Sequence, residues 1–280
     1  ARHIVGFGGE PQGGAHMLTH ERYQTILIEK AQSGVAIATL NRPEKLNAVD
    51  TTMHTELTTL TVDADSDPEV KVLLLTGAGR AFCAGGDFSG QRESPVTGGG
   101  QTMREARRIV DNLLDCSKPV ISAVNGYAMG LGATVALLAD IVVAARGAVF
   151  ADTHVRMGIG AGDGGQVIWP LLMGVNRAKY FMMTGDRLQA EEAERLGLVN
   201  FLVDDDALMP KATEIAERLA NGPTAAISAS KVPINKYIKM VSNLVLPLSL
   251  ALEESTMRSE DAREAGQAFR EKREPKFAGR

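Results

Sequence analysis

The sequence predicts an α/β protein that ends in an all-helical region, and three observations carry this. Short β-branched segments alternate with Gly-rich loops and helical stretches up to about residue 204. Strand patterns cease from about Asp205. Beyond it, apolar residues recur at helical spacing to about Arg270.

The elements follow in order. Tyr23 to Glu29 and Gly34 to Leu40 are short, β-branched and joined by a polar Gly-containing turn, which reads as a hairpin. Asn41-Arg42-Pro43 breaks the second strand. A helix follows over roughly Asp50 to Asp63, with Met53, Leu57 and Leu60 on one face. Lys71 to Thr76 has the pattern of a buried strand and runs into a Gly-rich loop, Gly77 to Gly90. Glu105 to Cys116 places Ala106, Ile109, Val110, Leu113 and Leu114 on one helical stripe. Pro119 to Val124 and Ile141 to Ala145 read as strands, with an apolar helix at Leu131 to Ala139 between them. Ala212, Ile215, Ala216, Leu219 and Ala220 again have helical spacing.

Three segments result. Residues 1–20 form a flexible tail without periodicity, either a native one or a cloning remnant ending at His16-Met17. Residues 21–204 form the α/β core, and residues 205–280 the helical region. The latter has more apolar helix than a monomer needs, which points to oligomer contact.

Composition excludes several classes. The chain is 44% hydrophobic and 23% charged, ordinary for a soluble globular protein. A net charge of -4 and the absence of basic runs with interleaved aromatics argue against nucleic-acid binding. No apolar run is long enough to span a membrane. Cys83 and Cys116 form no disulfide or metal pattern, which suits a reducing, cytoplasmic compartment. No His-x-x-x-His or Cys-x-x-Cys is present, so no metal is expected. Gly77-Ala78-Gly79 follows a strand, but Phe82 stands where a dinucleotide fingerprint needs its third Gly. No Gly-Lys-Ser/Thr ends a loop, and no Gly-x-Ser-x-Gly is present.

Two motifs remain. One is Leu75-Thr76-Gly77-Ala78-Gly79-Arg80-Ala81-Phe82-Cys83-Ala84-Gly85-Gly86-Asp87, and the other is Lys118-Pro119-Val120-Ile121-Ser122-Ala123-Val124-Asn125-Gly126-Tyr127-Ala128-Met129-Gly130-Leu131-Gly132. Both resemble the crotonase (enoyl-CoA hydratase/isomerase) superfamily. Asn41 to Ala48 resembles that family's early CoA-contacting segment, and Ala268 to Arg273 its C-terminal signature. The similarity runs from about Tyr23 to Gly279. It implies a spiral of ββα units with a C-terminal trimerisation region, assembled as a homotrimer or a hexamer. It also implies an acyl-CoA substrate, with coenzyme A entering as part of that substrate and no separate cofactor.

The implied chemistry is stabilisation of a thioester enolate. Two backbone N–H groups aimed at the carbonyl oxygen form an oxyanion hole, and losing one costs about 3–4 kcal/mol in the transition state. By resemblance the donors are those of Ala84 and Leu131. Leu131 opens an apolar helical run, where N–H groups are unspent. The resemblance also assigns Lys45, Asn47, Ala48, Gly85, Gly86 and Asp87 to CoA or substrate contact. It assigns Lys272 to the same role from a neighbouring subunit. Each lysine reads equally well as solvated surface, and Asp87 as the cap of the following turn.

The chain departs from the family where hydratases carry two water-activating glutamates. Thr134 stands at one of those positions and His154 at the other. Asp163 lies in a loop where some relatives keep a catalytic acid. Those relatives are dienoyl-CoA isomerases and dihydroxynaphthoyl-CoA synthases. His154 and Asp163, with Val167 to Pro170 and Tyr180-Phe181, also resemble 6-oxocamphor hydrolase, which cleaves a β-diketone without CoA. A C-terminal glutamate of that enzyme falls near Ser255, beside Glu253 and Glu254. The expectation is a His154–Asp163 acid–base pair, against core packing for His154 and helix capping for Asp163. Three functions stay open: hydration or isomerisation, retro-Claisen carbon–carbon hydrolysis, and a non-catalytic acyl-CoA-binding trimer.

Overall fold

A computed structural model describes residues 17–87 and 95–280, with side chains described outside 95–100. Residues 1–16, which carry most of the expected tail, and residues 88–94 lie outside the described residues.

The strands are β1 (Ile26–Lys30), β2 (Val35–Leu40), β3 (Val72–Gly77), β4 (Ala81–Cys83), β5 (Val120–Val124), β6 (Tyr127–Met129), β7 (Ile141–Ala145), β8 (Val149–Ala151), β9 (Leu188–Gln189) and β10 (Phe201–Val203). The helices are α1 (Thr51–Ser66), α2 (Pro95–Asp115), α3 (Leu131–Leu137), α4 (Gly165–Met173), α5 (Val175–Thr184), α6 (Ala190–Arg195), α7 (Leu208–Ala220), α8 (Thr224–Thr256) and α9 (Glu260–Glu271). The expected elements are all present. α2 starts ten residues before the expected Glu105, at Pro95.

The strands form two sheets. The larger has the order β1-β2-β3-β5-β7-β10, and the smaller β4-β6-β8-β9. Among the described residues, only β1–β2 and β8–β9 pair antiparallel. Successive strand pairs split between the sheets: β3 then β4, β5 then β6, β7 then β8. Each pair is followed by a helix, α2, α3 or α4. This is three turns of a ββα spiral. β3 and β5 are buried along their whole length, as parallel strands covered on both faces must be.

Sharp corners join each strand pair. A Cβ on Gly77 would lie 2.2 Å from the Ala81 carbonyl oxygen, and one on Gly126 2.2 Å from that of Arg80. Asn125 Nδ2 donates to the carbonyls of Gly77 and Gly79, at 2.8 Å each, tying the first two corners together.

The long helix α8 crosses the core beside α2 and α4. Asn235 Nδ2 donates to the Leu114 carbonyl, and Lys231 pairs with Asp140 at 2.7 Å. Ser242, Leu246, Ser249, Leu250 and Glu253 form its buried stripe. Its other face leaves Ile234, Tyr237, Met240, Leu244, Leu248 and Leu252 exposed. No described helix is long and apolar enough to cross a membrane.

Candidate active site

The site lies where the strands of the smaller sheet end, the usual position for ligands in α/β folds. A cavity of about 710 Å³ opens there, within the range of small-molecule pockets. Ala84, Gly86, Leu131, His154, Asp163 and Glu253 line it, with Lys45, Ala48 and Asp87 on the same wall.

β8 delivers the central histidine. After Ala151 the chain passes Asp152 and turns through a 3-10 segment at His154–Met157. His154 Nδ1 lies 2.7 Å from Asp152 Oδ1, and that same oxygen accepts the His154 backbone N–H. On the opposite side of the ring, Nε2 lies 3.3 Å from Asp163 Oδ2 and 3.9 Å from Glu253 Oε1. Thr134, at a position where a hydratase keeps a glutamate, donates its hydroxyl to Asp163 Oδ1 at 3.3 Å. All three carboxylates are buried.

Glycines allow this close approach. Gly130 has φ 50°, and a Cβ there would press to 3.2 Å from His154 Cε1. Cβ atoms on Gly162 and Gly165 would lie 2.5 Å from Glu253 and Asp152 respectively. The helix-capping reading of Asp163 does not hold. The cap of α4 is Gly164, without a side-chain cap bond, and Asp163 faces His154 instead.

Burial alone would lower the His154 pKa. The charges of Asp152 and Asp163, with their hydrogen bonds, overcome this and hold it well above the ordinary histidine range. Burial likewise raises Asp163, but the adjacent His154 cation and the Thr134 hydroxyl bring it below the ordinary carboxylate range. Both directions favour the imidazolium–carboxylate ion pair. Asp152, His154 and Asp163 are also the described residues whose ligand atoms cluster closely enough to hold a metal ion. Asp152 faces Nδ1 of the His154 ring and Asp163 faces Nε2.

The oxyanion hole expected at Ala84 and Leu131 needs one correction. The Ala84 N–H is already donated to the Leu46 carbonyl at 3.0 Å. The strand-like stretch beside the loop alternates bonds: Val49 N–H to Gly85 O, and Asp87 N–H to Val49 O. Gly86 falls between them. It lines the cavity, and its N–H makes no hydrogen bond to a described residue. Leu131 is the first residue of α3 and its N–H is equally unspent.

Other expected contacts divide. Lys45, Ala48, Ala84, Gly86, Asp87 and Leu131 line the cavity; Asn47, Gly85 and Lys272 do not. Asn47 is fully buried, with its side chain bonded to Arg42 N and the carbonyls of Ala78 and Ala81. It braces the loop, and a direct CoA contact is closed to it. Gly85 has φ 85° and lies against the Met129 carbonyl. Lys272 ends α9 in a left-handed cap outside the cavity, which Phe269 of the same helix reaches. Asp87 pairs with Arg42 at 3.0 Å, and the turn it was expected to cap lies outside the described residues. Trp169 and Phe181 pack together with ring centroids 6.1 Å apart, and Tyr180 is exposed; none of them lines the cavity.

Sequence reasoning gave no role to Asp152 or the buried Glu253, and it placed Gly86 at substrate contact instead of in the oxyanion hole. Signals existed for two. Asp152 stands two residues before His154 at a strand end, so both side chains leave on one side. Glu253 continues the buried stripe Ser242, Leu246, Ser249, Leu250 of α8, where a carboxylate is out of place.

The family model of the enoyl-CoA hydratases/isomerases matches residues 30–280. The chain belongs to the enoyl-CoA hydratase/isomerase family. It is 38% identical to the 1,2-epoxyphenylacetyl-CoA isomerase of Escherichia coli (strain K12), over 91% of this chain and 99% of that one. The crystal structure of an enoyl-CoA hydratase/isomerase from Mycobacterium paratuberculosis superposes with a TM-score of 0.83 at 35% identity, covering 88% and 98%. A β-diketone hydrolase from the cyanobacterium Anabaena sp. PCC 7120, bound to (S)-3-oxocyclohexyl acetic acid, superposes at 0.79 with 30% identity, covering 91% and 99%. The ββα spiral is thus the crotonase fold, and the protein is an acyl-CoA enzyme of the hydratase/isomerase type.

Proposed function

We propose that this enzyme isomerises an acyl-CoA by moving a proton between carbons through a thioester enolate, with Asp163 as the base. One observation carries this: the Asp163 carboxylate stands on the cavity wall 3.3 Å from His154 Nε2, while Asp152 holds the other ring nitrogen at 2.7 Å. Proton transfer at carbon needs one positioned base and an oxyanion hole. It needs no pair of glutamates to hold water, and Thr134 and His154 occupy those places. The N–H groups of Gly86 and Leu131 hold the enolate oxygen, because both are unspent and both residues line the cavity. Exposed Lys45, Arg80, Arg156 and Arg187 at the mouth suit the phosphates of coenzyme A.

A second reading is hydrolytic carbon–carbon cleavage of a β-keto thioester. Glu253 favours it, because a further buried carboxylate 3.9 Å from His154 Nε2 could hold the attacking water. Similarity to the β-diketone hydrolase favours it too. The exposed apolar face of α8 supports assembly into a homotrimer or hexamer.

The test is to incubate the enzyme with 2-enoyl-CoA, 3-enoyl-CoA and a cyclic β-keto acyl-CoA in deuterated water. Products are followed by mass. Deuterium uptake and double-bond shift without added water support isomerisation. Ring opening with added water supports cleavage and displaces the first reading. Tight binding without turnover of any of the three displaces both in favour of a non-catalytic acyl-CoA-binding protein.

A further inference from the structure

A second histidine–carboxylate pair faces the cavity from another side. His54 of α1 lines it together with Met103 and Ala106 of α2. Its Nδ1 lies 2.8 Å from Glu105 Oε2. Both side chains are largely buried, 12% and 10% exposed. Thr55 Oγ1 and Gln101 Nε2 donate to the other Glu105 oxygen at 3.2 and 3.1 Å, so the carboxylate is fixed in place. Burial raises the Glu105 pKa, but His54, Gln101 and Thr55 together hold it below the ordinary carboxylate value, which keeps it ionised. His54 Nε2 makes no hydrogen bond to any described residue. His54 and His154 line the same cavity.

A carboxylate behind Nδ1 selects the tautomer and ring orientation, leaving Nε2 for a ligand. Neutral, Nε2 accepts from a hydroxyl; protonated, it donates to a carbonyl. Met103 and Ala106 beside it would suit a plain hydrocarbon chain. A built polar pair among them is costly unless a polar group meets it. The reaction assigned to Asp163 and the oxyanion hole does not require this pair. We infer that His54, held by Glu105, binds a second oxygen on the acyl group, and that the enzyme takes acyl thioesters bearing a hydroxyl or keto oxygen away from the thioester. This rests on the acyl-CoA reading of the site and names its substrate class.

The test is binding rather than turnover. Two unreactive saturated acyl-CoA thioesters of equal carbon number are titrated calorimetrically, one plain and one carrying a distal hydroxyl or keto group. Wild type should bind the oxygenated one roughly 10- to 100-fold tighter, the worth of a charge-assisted hydrogen bond. His54→Leu should bring the two within about twofold, and His54→Gln should restore part of the difference. Glu105→Gln should give an intermediate ratio, because the ring loses its orienting charge. Thermal melts of each variant separate this effect from misfolding, and the ratio of two ligands on one folded variant is insensitive to the fraction folded. Equal affinities in wild type, or equal weakening of both ligands by His54→Leu, overturn the inference and leave the acyl-CoA reading standing. Failure of wild type to bind either thioester overturns both.

Discussion

Burial opposes a charged His154, yet a carboxylate on each ring nitrogen more than compensates. On the proposed mechanism, an imidazolium engaged on both sides is a fixed cation and Asp163 is the base. Asp163→Asn should therefore lower turnover by about 10²- to 10⁴-fold with little change in thioester affinity, checked by steady-state kinetics and titration. The pH profile follows from the same pair. With the His154 pKa raised and the Asp163 pKa lowered, kcat/KM should show no limb at about pH 6.5, where a free histidine titrates. Such a limb would identify a neutral imidazole as the base. Stability responds in linked fashion. The raised His154 pKa stabilises the fold fully below its unfolded value, about pH 6.5, and this is lost as pH rises through the folded pKa. The lowered Asp163 pKa stabilises fully above about pH 3.9, and this is lost as pH falls through its folded value. The melting-temperature gap between wild type and Asp163→Asn should be widest between about pH 4 and 6.5.

At the scale of elements, the site depends on how closely α8 and the loop before α4 approach. Gly162 is the contact, since a Cβ there would meet Glu253 Cβ at 2.5 Å and the Ser249 carbonyl at 2.6 Å. The backbone on both sides cannot give way cheaply. Gly162→Ala should cost about 1–3 kcal/mol in denaturant unfolding, the penalty of an overpacked interface. It should also reduce activity by displacing Glu253 from His154. The cap of α1 offers a contrast, because Asp50 does not line the cavity. Asp50 caps it through Oδ1, which accepts the Met53 N–H at 2.9 Å. Asp50→Ala should cost about 1 kcal/mol of stability.

For the whole molecule, the outer face of α8 is an exposed apolar stripe. Tyr237, Met240, Leu244, Leu248 and Leu252 recur every three or four residues and are all more than half exposed. A single chain gains nothing from such a stripe, whereas copies packed through it bury a continuous seam. Placing a charge at its centre, Leu244→Asp, should shift the protein to smaller species in sedimentation analysis. An unchanged mass would move the assembly interface elsewhere.

Local pattern determined much of this protein. The hairpin, the buried strands, the start of α3 at Leu131 and the helical region after Asp205 all follow from periodicity and turn residues, which act between near neighbours. So does the presence of His154 and Asp163 on one short stretch of chain. Tertiary structure decided which of these groups are available. Whether Ala84 or Gly86 offers its N–H depends on the Leu46–Val49 segment running alongside and taking every second bond. Glu253 reaches His154, and Glu105 reaches His54, only because separate helices are packed to the same cavity. The electrostatics came last. A histidine's charge depends on what surrounds it once water is excluded, and the buried Asp152 and Asp163, folded onto its two ring nitrogens, raise the His154 pKa.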